Sequence, residues 1–323
     1  MAGDDLERGR APEAIAIASA SSTPAGTSDS DRRPTNKPGA TTEPSAATGA
    51  KDDKPMRRPW LSRLSRLQDD VHPRHTDLPL FACSFTSGLC DSMTVNAAGT
   101  FVSMQTGNTI FLALGSAGLP DDDDDDAFLW LRSLTSIASF ALGCFVFGQA
   151  RRLRARRKAT LALSFLVQAA AIFLAAALAH AGVVADLART SVPGFGAPDD
   201  FRPRGGQIVL LPVAILAWQF GGQIVTSRVL GYGEVPTCVL TSVYCDLFSD
   251  PNIVAPVSRN VKRNRRVGAI CTLLVGGIAG GWLQRSPAGM TGVLWIAGSI
   301  KVAIACAWAL WPSEKAAQEK GHV

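Results

Sequence analysis

The chain has 323 residues, of which 47% are apolar, 18% charged and 7% aromatic, with a formal net charge of +5. These averages mix two unlike parts, since residues 1 to about 77 hold almost no apolar run, whereas most of the sequence beyond Leu78 consists of long, nearly uncharged stretches. Helices apolar on every side, at the ~20 residues that cross ~30 Å of hydrocarbon, exclude a soluble enzyme of one or two domains.

The chain opens on Asp4, Asp5 and Glu7 rather than a basic stretch, and the apolar patch at Ile15 and Ile17 is too short for a cleaved signal. Residues 1–77 read as a cytoplasmic tail, disordered because its Ser, Thr, Pro and Asp content buries too little apolar surface to offset ordering entropy. Near its end, Trp60, Leu64, Leu67 and Val71 fall on one helical face beside Arg57, Arg58, Arg63 and Arg66. This spacing predicts an amphipathic surface helix at about 60–71, with its arginines near anionic headgroups.

The apolar stretches that follow are 78–118, 128–150, 159–181, 208–250, 267–284 and 290–311. Two of them are long and interrupted by Gly and polar residues. Counted once each they give six spans, and counted twice, eight. Two basic loops, one around Arg151 to Lys158 and one around Arg259 to Arg266, fall on the same cytoplasmic side only with six net crossings. That count also makes the C-tail 312–323 cytoplasmic and puts Asp121 to Asp126 outside. A single crossing does not consume about 40 residues, so each long stretch should contain a broken or re-entrant segment, tolerated where protein covers it or water reaches it.

The two long stretches resemble each other. Gly88 and Gly221 lie 133 positions apart, as do Gly143 and Gly276, and Gly148 and Gly281; Thr106 and Thr241 follow at 135. The pattern predicts two copies, 78–181 and 208–311, of three crossings each, which places the second upside down relative to the first. The expected fold is therefore all-α: a polytopic transmembrane helical bundle, 78–311, with an inverted three-plus-three repeat whose discontinuous helices meet near the bilayer centre.

Residues 85 to 115, with Ser87, Gly88 and Asp91 in a small-residue turn and Thr106, Gly107 and Asn108 as a triplet, resemble the opening of the YoaK-like multi-pass membrane proteins, domain of unknown function 1275. The likeness runs in outline from Leu78 to Trp311. Where such proteins often repeat the triplet, this chain has Thr241, Ser242 and Val243. The resemblance implies a polytopic membrane protein and supplies no substrate.

Several polar groups stand out against this apolar background. Asp91 inside the first broken stretch is costly unless protonated, paired or hydrated. With Gln105, Thr106, Gly107 and Asn108, and with Thr241 and Asp246 in the second copy, it forms the candidate substrate-binding set; the alternative is that these groups satisfy one another where the helix breaks. Lys301 is too deep to snorkel, and Asp91 or Asp246 is its expected partner. Arg228 is a second candidate buried charge, or an ordinary boundary charge. Gln168 reads as a helix-to-helix hydrogen bond. Gly276, Gly277, Gly280 and Gly281 form overlapping small-residue pairs for close helix packing.

The seven cysteines lack metal-type spacing, the four histidines are scattered, and no nucleophile elbow, phosphate loop or dinucleotide fingerprint is present. No enzyme activity, cofactor, metal or nucleic-acid partner is expected. The lipid bilayer is the first partner, followed by a small solute or ion and a second copy of the chain. Architecture points to a transporter or channel-like protein in which one repeat rocks against the other. The alternative is a non-transporting membrane scaffold whose tail recruits partners. Neither end carries a sorting motif that separates plasma from internal membranes.

Overall fold

A computed structural model describes residues 67–118, 129–184 and 207–314, all within one unit of the chain. Eight α-helices occur among the described residues, with no strand beyond two isolated bridges. The first long stretch divides into α1 (Asp77–Ala98) and α2 (Gln105–Ser116). α3 (Leu129–Gly148) and α4 (Lys158–His180) follow. The second long stretch divides into α5 (Leu210–Leu230) and α6 (Thr241–Phe248), before α7 (Val261–Gln284) and α8 (Gly289–Leu310).

Five helices, α3, α4, α5 with the turn before it, α7 and α8, are long and apolar enough to cross a membrane. These mark an integral membrane protein. α1, with 22 residues, reaches about 33 Å and is long enough as well, but its Ser, Thr, Asp and Asn content keeps it out of that apolar set. Large apolar side chains such as Phe145, Leu163, Leu274 and Leu310 lie exposed along the bundle, as hydrocarbon contact requires. The stretch expected at 267–284 begins six residues earlier, because Asn260 caps the helix by accepting the Arg263 N–H (2.9 Å) and draws the basic residues into its first turns.

Both long stretches break at a glycine. α1 ends on Gly99 (φ 64°) and α5 on Gly231 (φ 83°), left-handed positions at which Gly carries no Cβ penalty. In each case the chain then doubles back along the helix it has just left. The loop 99–104 returns to Asp91, and the loop 231–240 returns to Gln223, so a short helix starts one third of the way back down each long one.

Packing follows a pattern that swaps the two halves. α1 lies along α7 and α5 along α3; α4 lies along α8, and α2 and α6 rest on α3 and α7. The spans of α3 and α7 are only 22% and 28% buried against 56% for α5, so both run along the outside. The two main crossings use residues that keep the 133 spacing. A methyl on Gly88 would strike the Leu273 carbonyl and the Gly277 N–H, while one on Gly221 would strike the Phe140 carbonyl and the Cys144 N–H. Gly276 lies on the Phe85 carbonyl, as Gly143 lies on the Trp218 carbonyl. These glycines let the backbones touch.

Gly280 also packs, against Leu89 and Ser92, and Gly277 sits 3.8 Å in methyl reach of the Gly88 carbonyl. Gly281 departs from the expected packing role, because it faces outward and a Cβ there meets nothing within 4 Å. The same holds for Gly148, so the third glycine pair marks no contact.

The surface helix expected at about 60–71 is not continued through its described end. Residues 60–66 lie outside the described residues, and Asp70 and Val71 are extended, paired with Arg157 and Ser313. Val71 N–H donates to the Arg156 carbonyl and His72 N–H to the Pro312 carbonyl, both at 3.0 Å; Lys158 N–H reaches the Asp69 carbonyl (3.1 Å) and Glu314 N–H the Asp70 carbonyl (3.2 Å). Backbone partners on both sides win over helix formation. The last residues of the tail and the first of the C-tail thus belong to the folded body, at the end of the bundle that carries the basic loops.

Candidate functional site

Two buried polar clusters stand out, one at the α1–α2 break and one between the helices, where it touches the α5–α6 loop at Cys238. In the first, Asp91 is 3% exposed and its carboxylate accepts from Val102 N–H (2.9 Å), Ser103 N–H (2.8 Å) and Ser103 Oγ–H (2.5 Å). Asn108, fully buried, accepts from Thr100 Oγ–H and Phe101 N–H, and donates to the Phe101 carbonyl and to Gln105 Oε1. Ser136 of α3 adds a hydroxyl donated to the Phe101 carbonyl (2.7 Å). A loop that re-enters an apolar bundle needs partners for its backbone groups, and Asp91, Asn108 and Gln105 supply them. Thr106 is exposed, and Gly107 lies against the Phe101 ring.

The second cluster centres on Lys301, which is 0% exposed. Its ammonium donates to Gln168 Oε1 of α4 (2.7 Å) and to Gln223 Oε1 of α5 (2.5 Å), and stands 5.2 and 5.5 Å from the Phe165 and Phe220 ring centroids. Gln223 Nε2 passes the network on to Ser87 Oγ (2.8 Å), to the Cys83 carbonyl (3.2 Å) and to Cys238 Sγ (3.5 Å). Through Lys301 and Gln223 together, four helices, α1, α4, α5 and α8, are joined in one network. The expected partners Asp91 and Asp246 are not the ones used: Asp91 is saturated by its loop, and Asp246 is half exposed and 3.6 Å from Arg266. Amide oxygens carry the ammonium in their place. One turn before Gln223, Gln219 is fully buried with neither amide atom hydrogen-bonded.

The expected set is therefore split. Asp91, Gln105 and Asn108 come together at the α1–α2 break, while Thr241 and Asp246 lie exposed on α6, which rests on α7. Arg228 is exposed rather than buried, because it sits in the last turn of α5 at the basic end of the bundle. Gln168 does join two helices. The residue that sequence reading missed is Ser103, which contributes both a hydroxyl and a backbone N–H to Asp91. Nothing in its immediate sequence marks it. Gln168 as the partner of Lys301 did carry a signal, since the two lie 133 positions apart.

Outside the bundle, the α6–α7 loop is closed by Asp250. Its carboxylate accepts from Asn260 Nδ2 (2.9 Å) and Asn252 N–H (2.8 Å), with Arg266 at 3.5 Å. These contacts, the Asn260 amide first, hold its carboxyl below the usual carboxylate range. Arg263 ties the same loop by donating to the Ile253 and Ala255 carbonyls.

Among the described residues no group of three or more His, Cys, Asp or Glu side chains is placed to hold a metal ion. No curated protein and no solved structure shows a significant match to the chain. The sequence profile of one family, described as a protein of unknown function (DUF1275), matches residues 79–307, which take in all eight helices but for the outermost turns of the first and last. The chain, an integral membrane protein by its five apolar helices, is a member of the DUF1275 family.

Proposed function

We propose that this protein is a transporter or channel-like protein for a small solute or ion, built as an inverted three-plus-three repeat with six net crossings. The observation that carries this reading is the swapped packing of the two halves at a constant spacing. α1 on α7 and α5 on α3 use residues 133 apart, and Gln168 touches Lys301, its own counterpart, where α4 meets α8. A contact between counterparts is what lies on a two-fold axis between repeats. Two re-entrant loops and an ammonium with no carboxylate beside it among the described residues fall near that axis, the arrangement in which discontinuous helices form solute sites. α1 supplies the sixth crossing, and both termini then share the side of the basic loops.

A second reading, a non-transporting scaffold, is favoured by one specific observation: in this conformation Asp91, Asn108 and Gln105 are satisfied by one another and by their loop. The two readings separate experimentally. Single cysteine reporters at Ala155, Asp123 and Thr106, on a cysteine-free background, are labelled on intact cells with an impermeant thiol reagent. Transport through the proposed topology requires labelling at 123 and not at 155, and Asp91→Asn should then remove solute flux while deletion of residues 1–55 leaves it. Labelling at 155 overturns the topology, and loss of the cellular phenotype on tail deletion alone supports the scaffold.

A further inference from the structure

Between α1 and α7 the surface opens into a groove of about 560 Å³. Its walls are Val95, Phe101, Met104, Leu274 and Ile278, with Gly281 as bare backbone on one side. Leu274 and Ile278 are more than half exposed, so the groove opens sideways, where hydrocarbon surrounds the bundle, rather than toward either end. At its deep end stands Asp91; at the other end, where α7 finishes, stand Asn96, Gln284 and Arg285. Asn96 and Gln284 bond each other (2.8 Å), and Gln284 also donates to the Gly280 carbonyl. Arg285 is exposed, and its guanidinium has no partner among the described residues.

We infer that this groove holds one acyl chain of an anionic phospholipid, with its phosphate on Arg285. The length fits: Leu273 to Arg285 spans about 18 Å of helix, close to the ~15 Å of one leaflet. The chemistry fits at both ends. Methylene groups gain from the apolar walls, and the open flank lets a lipid enter without leaving the bilayer. A guanidinium at the helix end lies at headgroup level, where its planar fork matches phosphate oxygens. A sugar, a free ion or a soluble metabolite would find almost no polar wall along the groove. The bare backbone at Gly281 makes the space, since any larger residue would project into it. This inference rests on membrane embedding and stands whether or not the protein transports.

The test uses full-length protein in nanodiscs of mixed phosphatidylglycerol and phosphatidylcholine, with spin-labelled forms of each lipid as probes and the immobilised fraction as readout. Phosphatidylglycerol should be immobilised in preference to phosphatidylcholine. Arg285→Gln should abolish the preference, and Gly281→Leu should weaken immobilisation of both lipids roughly tenfold, a difference of one decade in affinity. Because a Cβ at 281 meets nothing within 4 Å, Gly281→Leu should remain monodisperse with an unfolding midpoint no lower than that of the wild type. Ile278→Trp, from the exposed rim, fills the same space if it does not. Equal immobilisation of the two lipids by the wild-type protein, an unchanged preference in Arg285→Gln, or wild-type retention in folded Gly281→Leu or Ile278→Trp would each overturn the assignment.

Discussion

Gln223→Leu should be more damaging than removal of the lysine it holds. The substitution takes from the Lys301 ammonium one of its two acceptors, and from Ser87 and the Cys83 carbonyl their donor, in a site with no exposure to solvent. Leaving a buried charge half-partnered costs about 3–5 kcal/mol. Lys301→Met instead leaves two glutamine oxygens unpaired, at about 1–3 kcal/mol each, but it also removes the ammonium whose own burial costs several kcal/mol. The net loss should therefore be smaller, about 1–2 kcal/mol, in line with interhelical hydrogen bonds in membranes that average about 0.6 kcal/mol. The double variant should be more stable than Gln223→Leu alone by at least about 1 kcal/mol, because no charge remains to be stranded. Unfolding in detergent can be followed by alkylation of the buried Cys83, Cys90 and Cys238, after the exposed Cys245, Cys271 and Cys306 are replaced by Ser. Additivity of the two substitutions within about 0.5 kcal/mol would refute the coupling between Lys301 and Gln223.

Three further outcomes follow from the same geometry. Asp91→Leu should free the loop 99–104, since the N–H groups of Val102 and Ser103 lose their acceptor at about 1–3 kcal/mol each; amide exchange of that loop should rise sharply, and much less in Asp91→Asn. Gly143→Ala and Gly276→Ala each drive a methyl into a carbonyl of the partner helix and should lower stability by matching amounts, about 1–3 kcal/mol, whereas Gly281→Ala should be neutral or gain up to about 1 kcal/mol from helix propensity. Thermal midpoints compare the three. The depressed carboxyl of Asp250 stabilises the α6–α7 loop at pH values above the ordinary Asp range near 3.9, and that contribution is lost as pH falls through its lower folded value. Protease sensitivity of residues 249–260 should therefore rise on the acid side in the wild type, and should show no such rise in Asp250→Asn.

How far the sequence revealed this arrangement depended on the kind of signal each residue carried. Hydrophobic length identified the helices, and charge runs marked the basic end, because both are properties of consecutive residues. The 133 spacing was visible in the glycines because close helix approach admits nothing larger at Gly88, Gly143, Gly221 and Gly276. The same spacing ran from Gln168 to Lys301, yet a lysine suggested a carboxylate partner, and Asp91 lay nearest to hand. What decided otherwise was the loop after α1. Its backbone N–H groups claimed Asp91, and such groups carry no sequence signature. Likewise Val71 had the periodicity of a helix, but the free backbone of Arg156 and Pro312 drew its neighbourhood into an extended clasp. Side chains that serve backbone are legible only after the backbone path is known.

That clasp limits how the molecule can move. Through residues 69–72 it fastens the start of α1, the start of α4 and the end of α8 with four backbone hydrogen bonds, and so sews the first and last helices of the bundle to a middle one. In the proposed transporter, a motion in which residues 78–181 swung as a block against 208–311 would strain the two bonds of this seam that reach Pro312 and Glu314. In the same proposed transporter, a motion that spares the seam would keep α1, α4 and α8 together as a stator and let α5, with α3 along it, travel past them. In that motion the Lys301 to Gln223 contact would join the stator to the moving pair, and an ammonium held by two amide oxygens is suited to release one while keeping the other.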